Sequence, residues 1–215
     1  MKQRLFLFLI FNIGFAFIAM TQEESSGFLF GEFKEATIHF AGGFQSIEKV
    51  NYNILDKELY FIDKTDGLMR IVSGMDRIRI VRIDNRNFIP VKTGMHEAFP
   101  TTPPIFVEYI PKVQKKGQQV GYGGTSQVAS TSTNNYLENQ NFIFPQKKDY
   151  EATSFYNCYW IELNGKKKKF ANFNQFLKIY PKHKSILDGR IKTDEIEFND
   201  TQKVIDLCLY AESLN

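Results

Sequence analysis

The chain has 215 residues, 27 of them lysine or arginine and 24 aspartate or glutamate, for a formal net charge of +3. That near balance excludes the strongly basic field that draws nucleic acid or anionic lipid to a protein surface. Aromatic residues make up 15%, with 21 phenylalanines and 10 tyrosines, and this enrichment favours strands.

The amino terminus carries the clearest signal. Lys2 and Arg4 precede LFLFLIFNIGFAFIAM, Leu5 to Met20, which is apolar except for Asn12 and is followed at once by TQEESS. A basic start, a short apolar stretch and small residues at its end read as a secretory signal peptide. Ala19 and Thr21 would stand third and first before a cleavage ahead of Gln22, so residues 1–21 are expected to be removed. The alternative is a retained anchor, but the apolar run is shorter than the roughly 20 residues that a membrane-spanning helix needs. The first cysteine is Cys158, far beyond the position that would carry a lipid. The mature protein is therefore expected to be soluble and without a stable membrane anchor, in the periplasm or outside the cell. With about 190 residues it can bury roughly 70% of its unfolded surface, as one large domain or two small ones.

Residues 22–113 read as an antiparallel β region, a meander running from Phe28 to Lys112. ATIHFA and FQSIEKVNYN flank Gly42-Gly43, ELYFIDKT and LMRIVS flank Asp66-Gly67, and RIRIVRI and NFIPV flank Asn85-Arg86. Diglycine and Asp-Gly between apolar runs supply the positive φ that tight hairpin turns need. Alternation of polar and apolar residues in VNYNIL and RIRIVRI predicts a sheet with one wet face. Arg77, Arg79 and Arg82 then belong to a charged outer face or a protected edge strand rather than a binding stripe. TTPP, Thr101 to Pro104, interrupts the pattern before IFVEYIPKV resumes it, and Pro111 makes that segment a strand end or an edge.

A polar segment, 114–149, follows. Its centre, VGYGGTSQVASTSTNN, invites three catalytic readings and fails each. A phosphate-binding P-loop requires Gly-Lys-Ser/Thr after four residues, because the lysine must reach the phosphates, and GYGGTS has none there. A dinucleotide fingerprint requires a third glycine opening a helix, where this chain has Ser126. A nucleophile elbow requires Gly-x-Ser-x-Gly, and Ser126 lies in GGTSQVA. The segment reads as a loop, either a functional flap or disordered.

Residues 150–215 change character. EATSFYNCYWIEL is a strand ending at Asn164-Gly165, and KKKK, Lys166 to Lys169, is a solvated hairpin tip, with contact to an acidic polymer or lipid head group as the alternative. Phe173, Phe176, Leu177 and Tyr180 fall at helical spacing. Pro181 opens a second short helix carrying Ile186, Leu187 and Ile191. In the last helix Asn199 is the expected cap, with Gln202 reaching back, and Val204, Leu207, Cys208, Ala211 and Leu214 form the buried stripe. Helices this short must dock on the sheet. The expected class is α+β: an N-terminal antiparallel β-meander sheet with C-terminal helices packed against it.

Cys158 and Cys208 both sit at inward positions and read as buried free thiols. Were they paired, the closed loop would contribute up to roughly 4 kcal/mol. His39, His96 and His183 fall in a strand, a loop and a helix junction without ligand spacing, and HEAFP lacks the second histidine of a zinc helix. No catalytic, cofactor-binding or metal-ligating residue is singled out.

VNYNILDKELYFID, RIRIVRIDNRNFIPV and the closing FNQFLKIYPKHKSIL and VIDLCLYAESL together resemble a loosely defined group of exported proteins of Bacteroidota with no known activity. The resemblance spans most of the mature chain in spacing and apolar pattern. It implies a periplasmic or cell-envelope setting and brings no functional residues. The favoured function is a non-catalytic binding or structural module, with an envelope protein, a peptide or a glycan as partner. Contact is expected through a sheet edge or the 114–141 loop. The alternative is an extracytoplasmic hydrolase whose site is assembled only in three dimensions.

Overall fold

The computed structural model describes residues 27–115, 118–120, 124–126 and 150–215. Residues 1–26, where a signal peptide is expected, and most of the 114–149 segment lie outside the described residues. The chain is α+β, as its sequence predicts. Its strands are β1 (Lys34–Phe40), β2 (Gln45–Asn53), β3 (Glu58–Ile62), β4 (Met69–Ile71), β5 (Ile78–Ile83), β6 (Arg86–Val91), β7 (Gly94–Phe99) and β8 (Ile105–Lys115). Then come β9 (Gln118–Val120), β10 (Gly124–Ser126), β11 (Tyr150–Leu163) and β12 (Lys166–Phe170). Three helices close the chain, α1 (Phe173–Ile179), α2 (Lys184–Thr193) and α3 (Thr201–Ser213). Strands β9 and β10, from the polar segment, form a separate two-stranded sheet among the described residues.

The other ten strands form one sheet in the order β12-β11-β8-β7-β6-β5-β1-β2-β3-β4, with every neighbour antiparallel. The chain runs outward from β1 to β4, then returns so that β5 takes the other side of β1. Gly43 and Gly67 hold positive φ of 82° and 73° at the two glycine turns, as the hairpin reading requires. The third turn sits one residue earlier than expected, at Asp84-Asn85, where Asp84 takes φ 52°. A short polar side chain tolerates that conformation, and the shift places Arg86 in a strand instead of a turn. The TTPP break joins β7 to β8, and Pro111 lies where β8 pairs only with β11, on a locally free side.

The sheet curls about its inner face. The Tyr52 hydroxyl on β2 accepts a 3.1 Å hydrogen bond from the Met95 amide on β7, four places away in strand order. A Cβ on the neighbouring Gly94, whose φ is 124°, would collide with that hydroxyl. Asn51 ties down the chain ahead of β1: its amide nitrogen donates to the carbonyls of Phe30 and Glu32, and its oxygen accepts from the Phe30 amide. One continuous buried cluster results. It joins Ile38, Val50, Val81 and Val107 of the sheet to Phe176, Leu187, Val204 and Leu207 of the helices.

The helices depart from the sequence reading in two places. Asp200 rather than Asn199 caps α3, accepting from the Lys203 amide at 3.1 Å, and Gln202 instead bonds Asp206. On α2, Leu187 is fully buried while Ile186 is 52% exposed, because adjacent helical residues point about 100° apart and only one can face the core.

Candidate functional site

Strand alternation divides the HEAFP motif between two environments. His96, expected in a loop, lies on β7, and Glu97 beside it points to the inner face. There Arg86 grips Glu97 with two 2.8 Å hydrogen bonds and donates a third, 2.6 Å long, to the Tyr109 hydroxyl, which donates to Glu97 in turn. The guanidinium also lies 5.1 Å from the ring centres of Phe30 and of Phe88. Burial raises the Tyr109 pKa and the Glu97 charge raises it further, so the phenol keeps its proton. These groups satisfy one another and clamp the middle of the sheet.

On the opposite face, His96 stacks on Trp160, ring centres 5.7 Å apart, and its Nε2 lies 4.0 Å from Glu108. The same Glu108 oxygen accepts from Trp160 Nε1 and from Lys169 Nζ, both at 3.2 Å. Lys167 covers the Phe106 ring at 4.2 Å. His96 is 6% exposed, and neither ring nitrogen has a hydrogen-bond partner among the described residues. Burial lowers its pKa to about 4, outweighing the nearby Glu108 carboxylate, so the imidazole is neutral at physiological pH. For Glu108 burial opposes ionisation, but the Lys169 ammonium wins and holds its carboxyl below the ordinary value.

KKKK is therefore not a uniform tip. It is strand β12, paired with β11 through Leu163–Lys166, Glu162–Lys167, Ile161–Lys168 and Trp160–Lys169. The hairpin turn is Asn164-Gly165, where both residues take positive φ, 51° and 72°, as a type I′ turn demands. Alternation then sends Lys167 and Lys169 to the His96 face and Lys166 and Lys168 to the helix side.

Lys166 and Lys168 line a groove of about 850 Å³ between the β11–β12 hairpin, the Thr102-Pro103 turn and the ends of α1 and α3. Lys182 and His183, in the 3₁₀ turn opened by Pro181, line it from the far side. Tyr180 and Glu212 line it as well. Tyr180 is 4% exposed, and its buried hydroxyl has the Glu212 carboxylate as its hydrogen-bond neighbour. Burial first and the neighbouring Glu212 carboxylate second raise the Tyr180 pKa, so its hydroxyl stays protonated. None of Lys166, Lys168 and Lys182 forms an ion pair among the described residues. The groove thus combines three lysines with the Glu162 and Glu212 side chains around a buried tyrosine hydroxyl.

The remaining residues weighed in the sequence fall elsewhere. Arg79 and Arg82 are exposed on β5, a central strand, and with His39 and Phe44 they line a smaller hollow of about 460 Å³. Cys158 and Cys208 are buried free thiols. Burial pushes Cys158 up to about 12, and burial followed by the Glu212 charge raises Cys208. Tyr180, Lys182 and Glu212 appear in the sequence as parts of helices. Only the alternation of lysines after an Asn-Gly turn marks the groove in advance. Comparison of the chain with protein-family models, curated proteins and solved structures gives no match.

Proposed function

We propose that this is an exported cell-envelope protein that works by binding, with the groove between the β11–β12 hairpin and the helices as its ligand site. The observation that carries the reading is the groove's lining: Lys166, Lys168 and Lys182 stand in it without an ion-pair partner among the described residues, beside Tyr180 and the Glu162 and Glu212 side chains. At about 850 Å³ the groove lies within the range of small-molecule sites. The basic, apolar amino terminus supports export.

A hydrolase would need an activated nucleophile. Both thiols are protonated and buried, which makes them inert. The raised pKa of Tyr180 makes its hydroxyl a donor rather than a base. Two measurements test the proposal. Amino-terminal sequencing of exported material should begin at or near Gln22, and intact Met1 in a membrane pellet would refute export. Immobilised mature protein should retain a component of envelope extract that a Lys166→Glu/Lys168→Glu variant releases; equal retention by both would remove the groove from the reading.

A further inference from the structure

The hollow beside β5 shares no lining residue with the groove at the β11–β12 hairpin. Strand β5 buries Val81 and Ile83 in the core, and counting back by twos, strict alternation would send Arg79 inward as well. A slip in the pairing prevents this. His39 on β1 stands opposite Ile80 and Phe40 opposite Ile78, which leaves Arg79 unmatched. An extra residue of this kind re-aims its side chain, and Arg79 emerges exposed, lining the same hollow as Arg82.

Among the described residues, no aspartate or glutamate lines the hollow. Arg70, Arg86 and Arg190 each hold a carboxylate, whereas neither Arg79 nor Arg82 forms an ion pair among those residues. Asn87 accepts from Arg82 Nε at 3.3 Å, which orients the guanidinium and leaves its four other N–H groups for a ligand. Beside these donors stand Ile80 and Ile89, both half-buried, and Phe44, which is 66% exposed. We infer that the hollow binds an amphipathic anion, an oxyanion carried on a flat apolar body. The guanidinium fork matches carboxylate and phosphate oxygens alike. A bare anion would leave Ile80, Ile89 and Phe44 in water and gain only exposed charge contacts, which salt screens. An aromatic body covers them and can pack on the Phe44 ring. At about 460 Å³ the hollow has the size of a small-molecule site.

NMR titration of the mature protein at low salt tests this with 2-naphthoate and 2-naphthyl phosphate as probes. Acetate and inorganic phosphate supply the charge without the body, and 2-naphthalenemethanol the body without the charge. At least one naphthyl anion should bind saturably and shift resonances of β5 and the β1–β2 turn, and the preferred one tells carboxylate from phosphate. Each control should bind at least about tenfold more weakly. Arg79→Gln/Arg82→Gln, at two exposed positions, should weaken binding by about tenfold or more and flatten its salt dependence. Phe44→Ala should weaken it severalfold with the salt dependence unchanged. Equal binding of any control, an unchanged affinity in the double arginine variant, or no binding of either naphthyl anion would each overturn the inference. Binding that survives the arginine changes but is lost in Lys166→Gln/Lys168→Gln would move the anion to the groove and overturn it too. Failure at this hollow leaves the groove reading, tested by retention of an envelope component, untouched.

Discussion

The two ends of the sheet face the same hazard and handle it differently. Among the described residues each is a strand with one unpaired side, a template on which another chain could add. β12 carries four lysines, and its last residue, Phe170, is fully buried between Tyr159 and Phe176, with ring centres 5.4 and 5.2 Å away. α1 follows directly and packs on it. β4 has three residues, all exposed, with Met69 and Ile71 about half accessible and Leu68 beside them at 59%. Its polar support is Arg70, paired with Asp63 and Asp66. One end is anchored in the core and charged; the other is short and superficially held. The candidate ligand site lies at the anchored end, where a rigid strand fixes Lys166 and Lys168 against the helices.

The widest gap between the two ends should appear on truncating a side chain at each. Phe170→Ala removes an aromatic ring from the joint between sheet and helices and should cost about 3–5 kcal/mol in urea unfolding. Ile71→Ala should cost below about 1 kcal/mol, since half of that side chain is already in water. Similar losses at the two positions would mean that β4 is covered in the folded protein.

Acid should act next most strongly, and again at the β12 end. His96 has a folded pKa of about 4 against an ordinary value near 6.5, so between those values the unfolded chain binds more protons. Its contribution to stability is therefore present above pH 6.5 and is lost as pH falls towards 4, by up to about 3 kcal/mol. The groups facing it are Glu108, Lys167, Lys169 and Lys57. Glu108, with its pKa held down, loses stability in the same direction as pH falls. His96→Phe should flatten the curve of stability against pH between 4 and 6.5 while preserving the stack on Trp160. A slope that survives the substitution would show that His96 is not its source.

How far the sequence foretells these differences depends on how local the signal is. Gly42-Gly43 and Asp66-Gly67 declare their turns because positive φ is a property of a residue and its neighbours. The helices declare their buried stripes for the same reason, apart from Ile186, where two adjacent apolar residues compete for one face. The turn at Asp84-Asn85 is misread by one position because Asp, Asn and Arg all tolerate a turn, and the ladder decides. The site is less legible still. Nothing in HEAFP indicates that His96 meets Trp160 and Glu108 while Glu97 meets Arg86, since strand register makes those pairs. Tyr180 and Glu212 meet at the groove only because the helices fold back on the sheet.

The turns that build each end give a smaller and more local contrast. Gly67 and Gly165 have nearly the same φ, 73° and 72°, and open space where a Cβ would go. Valine at either position meets the same backbone strain, on the order of 1–2 kcal/mol. Gly165→Val should lower global stability by that amount, because β12 leads into the helices. Gly67→Val should instead speed hydrogen exchange of the β4 amides, with little change elsewhere, because a weakly held end can open by itself. An equal shift in melting temperature for both variants would show that β4 unfolds only with the whole sheet.

The smallest expected effect asks most directly whether the β4 edge is free. Ile71 stands opposite Tyr60 on β3, on the outer face, and neighbouring outer positions carry the exposed Ile47 and Met69. In a monomer with that face in water, Ile71→Lys should alter unfolding free energy by no more than about 0.5 kcal/mol, since the ammonium reaches solvent without desolvation. The same lysine should suppress any concentration-dependent association measured by sedimentation, because a charge on an edge strand opposes pairing with a second strand. If the substitution costs more than about 1 kcal/mol, something in the folded protein already covers the edge. The contrast between the two ends would then be one of different cover, not of anchored against free.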